Sequence, residues 1–148
     1  MRWRELKNQD CSVAKSLSVF GDLWTIMILR DCFLGIKNFD GFAKSLGISR
    51  SIISNRLANL VNDGILEKFE TSSPAASKQY RLSPKGLSLY PIILSIVKWG
   101  DANFYQNIDP PITHIHRTCG HKLSPIFCCE ECGKVVDPKE VNALQRRL

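Results

Sequence analysis

Apolar residues return every three to four positions along most of the chain, and the breaks in that period divide it into short helices. Val13, Ala14, Leu17 and Phe20 mark a first helix over Cys11–Phe20, interrupted by Gly21-Asp22. A second, Leu23 to Phe33, carries Leu23, Trp24, Ile26, Met27, Ile28 and Leu29, which is apolar enough to be buried on most sides. Phe39, Phe42, Ala43 and Leu46 repeat at helical spacing. Gly47 fits the left-handed residue that ends a helix, with Ile48 packing behind the turn. Ser49 suits the N-cap of the next helix, whose buried stripe is Ile53, Leu57, Leu60 and Val61, and Asp63-Gly64 closes it. The pattern then switches to alternation at Ile65–Phe69 and again at Gln79–Leu82, two edge-type strands around a small-residue and proline loop, Thr71–Lys78. Ser83-Pro84 opens a last helix reaching Phe104, with Pro91 expected to kink it. Residues 1–10 are polar and expected to be flexible, with Trp3 and Leu6 available to a partner subunit.

Two helices joined by a short turn and followed at once by a β-hairpin predict a mainly α fold with a small β-wing, a winged helix-turn-helix. The helix Ser49–Asp63 leaves Arg50, Ser51, Ser54, Asn55 and Asn59 outward, a polar and basic set suited to base edges and phosphates. Arg56 falls beside the buried stripe, where a phosphate or packing role fits better than base reading. Lys78 and Arg81 give the wing positive charge for minor-groove or phosphate contact. A plain two-helix packing unit would share the periodicity; the short turn, the polar face and the adjoining strand favour DNA.

The last helix carries Leu87, Leu89, Tyr90, Ile92, Ile93, Leu94, Ile96, Val97, Trp99 and Phe104, more than one intramolecular stripe can bury. Leaving them wet costs about 25 cal/mol per Å², so a second surface is expected over them. A homodimer is the simplest cover, and two-fold symmetry would set two recognition helices roughly 34–36 Å apart, one turn of duplex.

Composition sharpens this only a little. At 148 residues, 44% hydrophobic and 23% charged, the chain has the makings of one domain with a proper core and a small appendage. Its net charge of +6 suits a polyanionic partner. The excess is +4 up to Asp109 and +2 after it, so it is spread along the chain. The N-terminus has no apolar signal core and no stretch approaches the roughly 18 apolar residues of a membrane span. A cytoplasmic protein without membrane attachment is expected. No phosphate loop, open three-ligand metal site or carboxylate pair beside a nucleophile points to an enzyme.

The boundary between domains is expected after Asp109, giving 1–109 and a tail, 110–148. Four of the six cysteines lie within Cys119–Cys132, which suggests metal ligation rather than disulfides. His116-Arg117-Thr118-Cys119 and Cys129-Glu130-Glu131-Cys132 are two knuckles, each ending in Cys-Gly, with nine residues between them. Each spacing lets one tight turn present two ligands, and the glycine permits the positive φ that such a turn needs. His116, Cys119, Cys129 and Cys132 would close a tetrahedral structural zinc site, a small zinc-knuckle hairpin with no open position for catalysis. His121, His114 and Cys128 remain alternatives for the fourth ligand.

The spaced signatures C-S-V-A-K-S-L and G-D-L-W-T-I-M-I-L-R (Cys11–Arg30), S-x4-S-N-R-L-x2-L-x3-G (Ser49–Gly64), Y-R-L-S-P-K-G (Tyr80–Gly86) and the helix ending K-W-G resemble the HxlR-type winged-helix transcriptional regulators, relatives of the MarR group. The resemblance implies a dimeric DNA-binding regulator whose terminal helices form the dimer interface and whose helix Ser49–Asp63 enters the major groove. Leu23 stands where the family usually places a lysine before the tryptophan, so no charge contact is carried over there. Some members sense oxidants or electrophiles through a cysteine placed like Cys11, and a helix N-terminus favours a thiolate. The expected function is a sequence-specific regulator, a repressor, acting as a homodimer on a pseudo-palindromic operator and answering a small-molecule or redox signal. The alternative is a zinc-stabilised winged-helix module that grips protein instead of DNA.

Overall fold

Asp22, Asn38, Ser49 and Ser83 each start a helix by accepting backbone N–H groups that the helix itself leaves unpaired. The computed structural model describes residues 3–69 and 78–144. A 3-10 turn at Trp3–Asn8 is followed by α1 (Ser12–Phe20), α2 (Leu23–Phe33), α3 (Phe39–Leu46) and α4 (Arg50–Asn62). Strands β1 (Leu66–Phe69) and β2 (Gln79–Leu82) come next, then the single turn α5 (Pro84–Leu87), α6 (Tyr90–Phe104) and a 3-10 turn at Pro138–Glu140. The chain divides into two compact units, Met1–Ile93 and Leu94–Leu148.

The core of the first unit gathers Ile28 and Leu29 from α2, Phe42 from α3, Ile53, Leu57 and Leu60 from α4, Ile65, Leu66 and Tyr80 from the wing, and Leu89 and Ile93. Fully burying side chains of this size stabilises by about 1.5–3 kcal/mol each. The strands pair antiparallel with Glu67 opposite Arg81 and Lys68 opposite Tyr80. A bridge from Asn38 to Gln79 and a bond from Tyr80 N–H to the Lys37 carbonyl (2.7 Å) tie the hairpin to the entry of α3. This is the winged helix-turn-helix expected from the sequence.

Four details differ. The 3-10 turn at Trp3–Asn8 lies against α1, where a flexible lead-in was expected. On α1 only Ala14 is buried, while Val13 and Leu17, expected in the core, face outward. Ile65 and Leu66 are both buried, so the alternation does not extend to Ile65. Ile65 belongs to the turn, its N–H bonded to the Leu60 carbonyl at 2.9 Å. Finally, the last helix is broken rather than kinked. Pro91 is the second residue of α6, in the first turn, where proline's fixed φ suits the start of a helix. The loop expected at Thr71–Lys78 lies outside the described residues except for Lys78.

The motif at Ser83–Gly86 locks the wing's exit to its entry. Ser83 donates to the Gly64 carbonyl at 2.6 Å and Lys85 Nζ to the Asp63 carbonyl at 2.8 Å. At Gly86 an added Cβ would stand 2.2 Å from the Ile65 carbonyl oxygen, so only glycine fits that approach.

Candidate nucleic-acid interface

The turn between α3 and α4 is made by Gly47, in the left-handed conformation (φ 62°), and by Ser49, whose hydroxyl accepts the Ile52 N–H. With Ile53, Leu57 and Leu60 buried, the opposite side of α4 presents Arg50, Ser51, Ser54, Asn55 and Asn59 to solvent. Asn59 Nδ2 donates to Asn55 Oδ1 at 3.1 Å, one helical turn away, which fixes how the Asn55 amide points. Ser51 and Ser49 hydroxyls lie 3.1 Å apart at the helix start.

Both arginines at the ends of this surface are already engaged. Arg50 NH1 contacts Asp40 Oδ1 at 2.9 Å, and its guanidinium sits 4.5 Å from the centre of the Phe39 ring. On the wing, Arg81 Nε contacts Glu67 Oε2 at 2.9 Å across the strands and lies near Phe69. Such exposed pairs are worth roughly 0–1 kcal/mol each, so a phosphate can displace them. Lys78 is exposed immediately before β2. Asp40 and Glu67 were not among the residues picked from sequence. Their partners are ten and fourteen residues away, and only the fold brings them together.

Arg56 turns inward. Its Nε lies 3.1 Å from Asp22 Oδ1, an ion pair whose N–H is not aimed as a hydrogen bond. Asp22 also accepts the Trp24 and Thr25 N–H groups and the Thr25 hydroxyl. The residue therefore joins α4 to the start of α2.

Residues 19–108 match the HxlR-like helix-turn-helix family. The chain belongs to that family. An HTH-type transcriptional regulator of Mycobacterium tuberculosis, Rv3095, uncharacterised in function, is 35% identical over 131 residues, 88% of this chain and 83% of that one. YdzF of Bacillus subtilis, likewise uncharacterised, is 32% identical over 91 residues, 59% of this chain and 82% of its own. Among solved structures, PA1607, a candidate transcription factor, superposes with a TM-score of 0.84 at 30% identity, covering 95% of this chain and 98% of that one. The oxidised form of the redox regulator HypR reaches 0.59 at 28% identity over 63% of this chain and 97% of its own. The protein is a DNA-binding transcriptional regulator of the HxlR-like type.

Two further groups of candidate residues can be placed on this HxlR-like chain. Cys11 is exposed and is the N-cap residue of α1, with no side-chain cap bond. Cys32 is packed against the core, and burial pushes its thiol up to about 12, helped by the Asp31 charge and opposed by a backbone bond. Beyond the matched residues, His116 Nδ1 lies 3.2 Å from Cys119 Sγ. The Cys129 thiol is held below the ordinary thiol range by the backbone N–H of Cys132, then that of Glu131, then the Cys132 thiol. His116–Cys119 and Cys129–Cys132 are thus two separate pairs. Among the described residues no three His, Cys, Asp or Glu side chains converge as a metal cage.

Proposed function

We propose that this regulator is a cytoplasmic repressor that binds a pseudo-palindromic operator as a homodimer. In this reading α4 lies in the major groove, with Arg50, Ser51, Ser54 and Asn55 at base edges and neighbouring phosphates. Lys78 and Arg81 bring the wing to phosphate or the minor groove, and Arg56 holds α4 at its docking angle. The observation that carries the reading is the split of α4 into a stripe sealed in the core and a polar face exposed to solvent.

Support for the homodimer comes from apolar side chains that the described residues leave uncovered. Val13 and Leu17 on α1 are exposed, and so are Ile92, Ile96, Trp99 and Phe104 on α6. Among the described residues no single helix is long and apolar enough to cross a membrane, so a protein partner suits these residues better than lipid. Exposed Cys11 is the residue we assign to a redox signal, and the likeness to the redox regulator HypR supports this. For a small-molecule signal, a cavity of about 410 Å³ in the second unit offers room, lined by Val97, Lys98, Asp101, Tyr105, Ile112 and His114 among others.

Selection of bound sites from a random duplex pool with the purified chain tests the reading. The expected result is an inverted repeat whose half-sites are about one duplex turn apart, bound with an affinity that falls steeply between about 50 and 200 mM salt. Failure to enrich any duplex overturns it.

A further inference from the structure

The tail from His114 to Val136 is built twice. The second copy follows the first by thirteen residues, as His116 to Cys129 and Cys119 to Cys132. His116 N–H donates to the His121 carbonyl at 2.9 Å, and Cys129 N–H to that of Lys134 at 2.9 Å. Gly120 N–H donates to the His116 carbonyl at 2.8 Å, and Gly133 N–H to that of Cys129 at 2.8 Å. One step further out, Leu123 N–H bonds the His114 carbonyl at 2.7 Å and Val136 N–H bonds that of Phe127 at 2.8 Å. The bridges Ile115–Lys122 and Cys128–Val135 keep the same offset. Gly120 and Gly133 take nearly equal positive φ, 72° and 68°.

This equivalence sorts the candidate ligands. Cys129 and Cys132 occupy the first and fourth places of their turn, and His116 and Cys119 occupy the same places in the other. His121 falls on Lys134, and Cys128 falls on Ile115, neither of which ligates a metal. His116 Nδ1 already stands 3.2 Å from Cys119 Sγ, so one donor pair is gathered by its own turn.

Cohesion is what the tail lacks. Ile115, Ile126, Phe127 and Val135 are all exposed, and among the described residues the buried apolar cluster includes none from the two turns. A segment this short needs a staple in place of a core.

We propose that the two turns are half-sites of one structural zinc site, closed by His116, Cys119, Cys129 and Cys132. The structure shows the two pairs apart, and the ion is what joins them. Three thiolates and one imidazole satisfy tetrahedral zinc and leave no position for a substrate. Binding displaces three thiol protons to solvent, so zinc with its three thiolates carries a net charge of −1.

The full chain, purified without added metal, is expected to contain one zinc per chain by elemental analysis. After removal of that metal, cobalt(II) is expected to give the intense thiolate charge-transfer bands and tetrahedral d–d bands of a three-sulfur, one-nitrogen site. His116→Ala, Cys119→Ser, Cys129→Ser and Cys132→Ser should each lose that spectrum, whereas His121→Ala and Cys128→Ser should keep it. Absence of zinc together with an octahedral cobalt spectrum overturns the site. Loss of the spectrum in His121→Ala but not in His116→Ala overturns the ligand set. The cobalt spectrum of the unaltered chain decides even where a variant fails to fold, and none of these readouts depends on DNA binding.

Discussion

Arg56 on α4 and Asp22 at the head of α2 approach to 3.1 Å, so the helix proposed to read DNA is tied to the carboxylate that caps another helix. Asp22 has two tasks and Arg56 one. Replacing Asp22 by Ala removes the cap and the pair, and should lower stability by about 1–2 kcal/mol. Arg56→Ala should lower it by no more than about 1 kcal/mol. Because the two are each other's partners, the double variant should lose less than both losses added together. Urea unfolding of the four proteins measures this.

The Arg50–Asp40 pair sets up a test with two signs. Arg50→Ala should weaken operator binding and reduce the dependence on salt by about one counterion. Asp40→Asn should tighten binding, because Arg50 then has no carboxylate to leave. Gel-shift titrations across a salt series report both. Tightening in neither the parent salt nor a lower one would remove Arg50 from the interface.

Gly86 sits against the Ile65 carbonyl with no room for a methyl group. Gly86→Ala should destabilise by about 1–3 kcal/mol, as overpacking does. The contact lies between backbone atoms and a new Cβ, so no rotamer change relieves it. A thermal melt followed by circular dichroism gives the answer.

Ile96 is exposed on α6, so a charge there leaves the fold of the single chain intact. Ile96→Glu should convert the proposed dimer to a monomer in sedimentation velocity while helix content stays unchanged. A dimer that survives this change would have to use another surface.

Cys11 and Cys32 should differ sharply in reactivity. Alkylation of the native protein near pH 8 should label Cys11 and spare Cys32, whose thiol is held protonated by burial. Below the ordinary thiol range both folded and unfolded chains keep the Cys32 proton, and its contribution to stability is fully present. As pH rises from 9 toward about 12 the unfolded chain gives up that proton first, so stability should fall. Mass mapping of alkylated cysteines checks the first statement and urea unfolding across that pH range the second.

Local chemistry carried most of the fold in advance. Gly47, Ser49, Asp63-Gly64 and Ser83-Pro84 end or start helices through interactions within a few residues, and the structure finds them there. The two arginine pairs were not legible, because Asp40 meets Arg50 only once α3 and α4 pack, and Glu67 meets Arg81 only once the strand register is set. Val13 and Leu17 mislead for a related reason. Periodicity identifies an apolar stripe on α1 but not which surface covers it. Pro91 shows a third limit: the same residue kinks a helix from inside or begins one, depending on where the previous turn stops.

A side chain that must let go of one partner before it can take another acts as a small toll gate. In the proposed complex Arg50, resting on Asp40 and Phe39, would gain little from a stretch of duplex offering only an average phosphate, since one weak contact is exchanged for another. It would gain clearly only where sequence offers something better. Random genomic DNA would thereby be held more loosely, leaving the protein freer to keep searching.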